Sequence, residues 1–260
     1  MDNKSLLLTA MKQSAVDLNC NIEDFLKDEH VIVRSLSNEK ARKYLKLPFY
    51  IDLVSYGNNI VVSVSDEFKD IAEDFINSFE FYHCFETPNI YYLNDKLKPF
   101  NAAVCFMAEY WLPDLNVLKP LDCGFETKFL CKSDFKDLYT KEWSNALCES
   151  RKELDVLAVG AYDNNKLIGL AGCSADCDSM WQIGVDVLPE YRRKGIASSL
   201  TSKLAAEIIK RGKVPFYCCA WSNLKSVGNA LKSGFRPAWV EITVKDNSFI
   251  NEMNKAKTAE

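Results

Sequence analysis

Ile183-Gly-Val-Asp-Val-Leu-Pro-Glu-Tyr-Arg-Arg-Lys-Gly-Ile-Ala197 is the stretch on which the reading of the fold turns. Its apolar alternation predicts a strand, and Leu200, Leu204 and Ile208 recur behind it at helical spacing, so a strand feeds a basic, glycine-containing turn into an amphipathic helix. The first N–H groups of such a helix lack intrahelical partners, and the aligned peptide dipoles add partial positive charge, so a diphosphate fits there. Gly195 and Ala197 put no large side chain in its way, and Arg192 and Lys194 would bring cationic charge. Gly212, after Lys210 and Arg211, suits the end of the helix. Taken alone, the run reads equally well as a solvated basic turn.

A second segment is Trp221-Ser-Asn-Leu-Lys-Ser-Val-Gly-Asn-Ala-Leu-Lys-Ser-Gly-Phe235. Ser222 or Asn223 can cap a short helix bearing Leu224, Val227 and Leu231, and Gly234 can end it in the left-handed region. With the strand 216–221 between them, the two segments together resemble the coenzyme-binding core of the GNAT superfamily of N-acetyltransferases. Its pattern Arg/Gln-x-x-Gly-x-Gly/Ala is met by Arg192, Gly195 and Ala197, and its later Asn, Ala/Ser and Gly-Phe by Asn223, Ser226, Gly234 and Phe235.

The resemblance implies acetyl-CoA as co-substrate and an amine as acceptor, with direct attack of the neutral amine on the thioester. It implies that the coenzyme lies where the family's fourth and fifth strands splay, touching Val185, Asp186 and Val187, the loop and helix start Arg192, Arg193, Lys194, Gly195, Ile196, Ala197 and Ser198, and then Asn223 and Ser226. Backbone near Val187 is the expected oxyanion donor, and Pro215, which cannot donate to a ladder, the expected point of incomplete pairing. Two positions depart from the family. Ala230 stands where many members place a proton-donating tyrosine, and Trp181 where some carry a glutamate base. Tyr139, Glu142, Trp143 and Glu149, with Trp181, are nominated for the acceptor site. The alternative reading is a non-catalytic acyl-CoA-binding regulatory module.

The rest of the chain sets the bounds. Its 260 residues suit two modest domains, and 48% apolar with 26% charged residues describes a globular protein. A net charge of −4 argues against a general nucleic-acid binder. No segment reads as a membrane span or signal peptide, so the expectation is a cytoplasmic protein whose ten cysteines are reduced. Cys173 and Cys177 have too few partners for a zinc site, His30 and His83 being the two histidines, and no metal is expected. His83 and Cys84, read on a strand, would point to opposite faces.

The overall expectation is a mixed-sheet α/β fold, with an N-terminal α+β domain over 1–120 and a GNAT-like domain over 121–260, joined at the proline-bracketed segment 113–120. Before the boundary the patterns predict a helix over 1–18 packed on the first domain, a strand over 31–34, a hairpin of 49–55 and 60–64, helices over 66–79 and 89–97, and a strand over 102–112. This order accommodates a degenerate copy of the same fold. Beyond it come a strand, a helix over 134–147, and strands over 156–162, 167–173 and 180–187.

Overall fold

The computed structural model describes residues 1–255. Its strands are β1 (Val31–Arg34), β2 (Ile51–Ser55), β3 (Val61–Val64), β4 (Ala102–Pro113), β5 (Glu126–Cys131), β6 (Asp155–Asp163), β7 (Lys166–Ser174), β8 (Met180–Val187), β9 (Val214–Cys219) and β10 (Phe235–Asp246). The α-helices are α1 (Asn3–Leu18), α2 (Lys69–Ser78), α3 (Thr87–Leu97), α4 (Ile196–Lys210), α5 (Leu224–Lys232) and α6 (Asn247–Lys255). Two compact units emerge, each drawn from two stretches: Met1–Ala10 with Tyr110–Ala238, and Met11–Glu109 with the residues from Trp239 onward. This interleaved division differs from a single cut near residue 120, because α1, β4 and β10 each contribute to both units.

In the N-terminal unit, β2 and β3 form the expected hairpin around Gly57, whose φ of +97° only glycine adopts freely. β1 joins β3 in parallel and β10 joins β2 antiparallel, so a strand from the far end of the chain completes this sheet. One face carries Ile51, Leu53, Val62, Val64, Ile242 and Val244 against α2 and α3, alternate residues of each strand pointing to the same side; β10 itself is not among the strands expected from the sequence. The opposite face is buried and mixed: Asp52, Ser63, Glu241 and Thr243 lie there with Val54 and Val61, and Arg42 pairs with Asp17. His83 and Cys84 fall in a 3-10 turn, Phe81–Phe85, not on a strand.

In the C-terminal unit the strand order is β9-β8-β7-β6-β5, antiparallel from β5 to β8 and parallel between β8 and β9. Leu157, Val159, Ile168, Ile183, Leu200 and Leu204 are among the residues burying α4 on one face. The segment 113–120 is not a free linker. Asp114 N–H donates to the Gly234 carbonyl at 2.8 Å, and a β-carbon on Gly234 would lie 2.8 Å from Leu118 Cα, so the segment is strapped to the start of β10.

The helix expected over 134–147 does not form. Short 3-10 turns at Lys132–Asp134 and Lys141–Trp143 take its place, while Phe135, Trp143, Ala146 and Leu147 still pack on Ala158 and Leu170 of the second sheet face. At 145–146 the backbone is instead in close contact with the sheet. A β-carbon on Gly172 would lie 2.2 Å from the Ala146 carbonyl oxygen, and Asp186 takes the N–H groups of Asn145 and Ala146 at 2.8 and 2.9 Å. Backbone that gives its donors to a strand carboxylate cannot also close helical turns.

Candidate functional site

β8 and β9 pair from Met180 opposite Val214 to Ile183 opposite Tyr217, and no further. β8 runs on to Val187 and remains paired with β7, whereas β9 runs on to Cys219, so the two strands part beyond Ile183 and Tyr217. The opening is therefore at their C-terminal ends; Pro215, expected to mark it, lies within the paired register opposite Trp181. A cleft of about 810 Å3 occupies this split, floored by β8 from Gln182 to Val187 and walled by the loop before α4, the end of β9, and α5.

The loop is built as the sequence suggests, with one addition. Pro189–Tyr191 makes a 3-10 turn, Arg193 takes φ +64° and Gly195 φ +80°, so two left-handed residues fold the chain into the helix. Arg193 is the unforeseen one, since nothing in its side chain favours that conformation. The helical ladder opens with Ser199 N–H donating to the Gly195 carbonyl at 3.0 Å, which leaves the N–H groups of Ile196, Ala197 and Ser198 ahead of the first i→i−4 bond. All three residues line the cleft.

Most of the nominated coenzyme residues converge here: Val185, Asp186, Val187, Arg192, Arg193, Gly195, Ile196, Ala197, Ser198, Asn223 and Ser226 line one cavity. Their local roles differ. Arg192 Nε donates to the Val187 carbonyl at 3.0 Å, bracing the loop on β8. Asn223 caps α5, its Oδ1 accepting from Ser226 N–H at 3.2 Å. Asp186 is committed to the neighbouring segment, accepting from Asn145 N–H, Ala146 N–H and, at 2.6 Å, Asn145 Nδ2. Lys194 is not among the lining residues: its ammonium sits 4.9 Å from the Tyr191 ring centroid.

Lys225 and Lys232 of α5 line the cleft, and the sequence reading missed them. Basic residues on an amphipathic helix look like an ordinary solvated face until the helix is docked. Also missed was Tyr217, whose Oη lies 2.7 Å from Ser226 Oγ at the last paired position of β9. Burial pushes its phenol above the usual range, against the hydrogen bonds from Ser226 and Asn229, so it stays protonated through neutral pH. Ala230, by contrast, is buried in the core beside Phe235 and presents nothing to the cleft.

The nominated acceptor residues do not share one cavity. Trp143 is buried beneath the sheet, and Trp181 packs against the α4 side of the core instead of lining the cleft. Glu142 is exposed, its carboxyl held below the usual range first by a hydrogen bond from Thr140. Tyr139 and Glu149 line a separate concavity of about 590 Å3 with Ser144 and Cys148. From this side, Asn145 alone of the 135–150 segment reaches the main cleft. Cys173 and Cys177 are buried, and among the described residues no three of His, Cys, Asp and Glu converge as metal ligands.

Comparison with known proteins bears on this half of the chain. The family model for GNAT acetyltransferases matches residues 112–238. Residues 112–238 are a GNAT domain. The match falls wholly within the C-terminal unit, whose long stretch is Tyr110–Ala238, and does not extend into the N-terminal unit's 11–109. No curated protein matches the chain significantly. Among solved structures, a putative GNAT-family acetyltransferase from Novosphingobium aromaticivorans is similar at 20% identity and TM-score 0.42, over 55% of this chain and 66% of that one. A GCN5-related N-acetyltransferase-like protein from Streptococcus suis is similar at 19% and 0.43, over 59% and 68%. A GCN5-related N-acetyltransferase from Kribbella flavida is similar at 13% and 0.45, over 61% and 64%. The chain thus spans just under two thirds of the first of these. Likenesses at such scores carry no argument about activity; the GNAT domain rests on the family model and on the motifs.

Among the described residues, no helix is long and apolar enough to cross a membrane.

Proposed function

We propose that the GNAT domain binds acetyl-CoA in the β8–β9 cleft and passes its acetyl group to a primary amine of a small molecule or peptide by direct attack. The observation that carries this reading is the convergence on one cavity of a splayed strand pair and a left-handed basic loop with free helix-start N–H groups. The β8 edge from Gly184 to Val187 has no β9 partner, so its backbone can pair with an amide-bearing pantetheine arm, and the loop can hold a pyrophosphate. Unpaired backbone near Val187 would supply the oxyanion donor. The domain assignment behind it is a GNAT domain over 112–238 with an N-terminal α+β unit of separate role.

Protonation of the departing thiolate is assigned to the Tyr217–Ser226 hydroxyl pair. Ser226, half-buried on the cleft wall, gives its proton to sulfur and takes one from the Tyr217 phenol; the proton lost by the amine reaches Tyr217 through solvent. The competing reading, a coenzyme-binding module without turnover, draws support from the buried Ala230. Release of free CoA from acetyl-CoA in the presence of an amine panel separates the two. Amine-dependent release supports transfer, and tight coenzyme binding with no release under any amine supports the binding module.

A further inference from the structure

We infer that Lys232, at the C-terminal end of α5, is a phosphate-binding residue of the coenzyme site and supplies the charge that the loop's own Lys194 does not. The inference rests on the acetyl-CoA reading above. A β-carbon built on Gly195 would lie 3.9 Å from Lys232 Nζ, so this ammonium stands directly over the left-handed residue that opens α4. Lys232 lines the cleft, while Lys194 does not and stacks on Tyr191. No carboxylate pairs with the Lys232 ammonium among the described residues.

Its placement is fixed from both sides. Asn229 Nδ2 donates to Thr201 Oγ1 at 3.1 Å, and the Ser233 hydroxyl, which donates to the Asn229 carbonyl at 2.7 Å, also lies 3.3 Å from the Ser198 carbonyl, so the end of α5 is fastened to the first turns of α4. Gly234, at φ +91° and in contact with Leu118, ends α5 immediately after this clamp. The cleft is consequently cationic within a chain of net charge −4. Arg192, Arg193, Lys225 and Lys232 line it, and its one lining carboxylate, Asp186, is held by the 145–146 amides. A dianionic pyrophosphate seated on the Ile196–Ser198 amides would have Lys232 above it, a two-sided grip that the loop motif alone does not provide.

The test is titration calorimetry of the full chain and its Lys232→Met and Lys194→Met variants with acetyl-CoA, and with S-acetylpantetheine, which lacks the phosphates. Both lysines are exposed, so neither change threatens the fold, and matched melting curves check this. The expected result is a weakening of acetyl-CoA by about tenfold or more in Lys232→Met, as for loss of one charge-assisted contact. S-Acetylpantetheine should bind Lys232→Met within about twofold of the wild type, and Lys194→Met should bind acetyl-CoA likewise. Wild-type affinity for acetyl-CoA in Lys232→Met, or the loss appearing in Lys194→Met instead, overturns the inference while leaving the coenzyme site standing. A wild-type chain that binds no acetyl-CoA overturns the site itself.

Discussion

A β-carbon placed on Gly184 would come within 1.8 Å of the Asn145 carbonyl oxygen, so strand β8 and the 145–146 segment are in backbone contact. That contact places Asn145 beside Gly184 in the lining of the cleft. Gly184→Ala forces backbone to move, because neither partner is a flexible side-chain tip. The variant should lose about 2 kcal/mol or more in urea unfolding. Gly228→Ala is the counter-case, since an added β-carbon on α5 meets nothing within 4 Å; it should gain about 0.5–1 kcal/mol. Equal effects of the two substitutions would contradict the packing described.

Asp186 holds the same segment through three N–H donors. Asp186→Ala should release Asn145 from the cleft wall, raising KM for the amine about tenfold while leaving the affinity for acetyl-CoA within about twofold. Steady-state kinetics with calorimetry reads both. A loss confined to coenzyme affinity would instead make Asp186 a direct coenzyme ligand.

Tyr217→Phe removes the hydroxyl behind Ser226 at little cost in volume. The expectation is a kcat lowered by about 10²-fold with an almost unchanged KM for acetyl-CoA, and loss of the alkaline limb of the kcat profile. Ser226→Ala should lower kcat in the same way. Wild-type kcat in both variants would remove the hydroxyl pair from catalysis.

In the N-terminal unit, Asp52 is fully buried: Thr243 donates to its Oδ1 at 2.6 Å, and its Oδ2 has no hydrogen-bond partner among the described residues. Burial first, and then the Glu241 carboxylate, push its acid well above the usual range, against the hydrogen bond from Thr243 and the charge of Arg42. A raised folded-state value means that the folded state keeps the proton longer than the unfolded chain. The stability this group contributes is fully present below about pH 3.9, the unfolded value, and is lost as pH rises through the folded one. Asp52→Asn mimics the protonated form, and Ser63, opposite on β3, offers a buried hydroxyl also without a partner. The variant should melt about 2–6 °C higher than wild type near pH 8, with the gap closing toward pH 4. A gap that does not change with pH would contradict the assignment.

Much of this was written in local sequence. The 183–197 run prescribed strand, turn and helix because apolar alternation, a basic glycine turn and a helical stripe each have short-range physical causes, and the strands β6 and β7 follow from short, nearly continuous apolar runs separated by a polar turn. What the sequence hid depends on contacts between distant residues. The apolar spacing of Phe135, Trp143 and Leu147 looks helical, but Gly172, Gly184 and Asp186 draw that backbone onto the sheet. The helix over 1–18 buries Leu6, Ala10 and Leu18 but leaves Leu7 exposed, and it contributes to both units, not to the first domain alone. Lys232 and Tyr217 became legible as site residues only once α5 was seen docked against α4 and β9.

The central claim, that the β8–β9 cleft is an acetyl-CoA site, is tested most directly by titrating acetyl-CoA into the wild-type chain and Gly195→Asp side by side. An aspartate there puts a side chain and a negative charge where the pyrophosphate would sit, at a φ of +80° that lies in open space apart from Lys232. The account predicts one-to-one binding near micromolar affinity in the wild type and none in a variant that still melts cooperatively. Equal binding by the two chains, or no binding by the wild type, would contradict it.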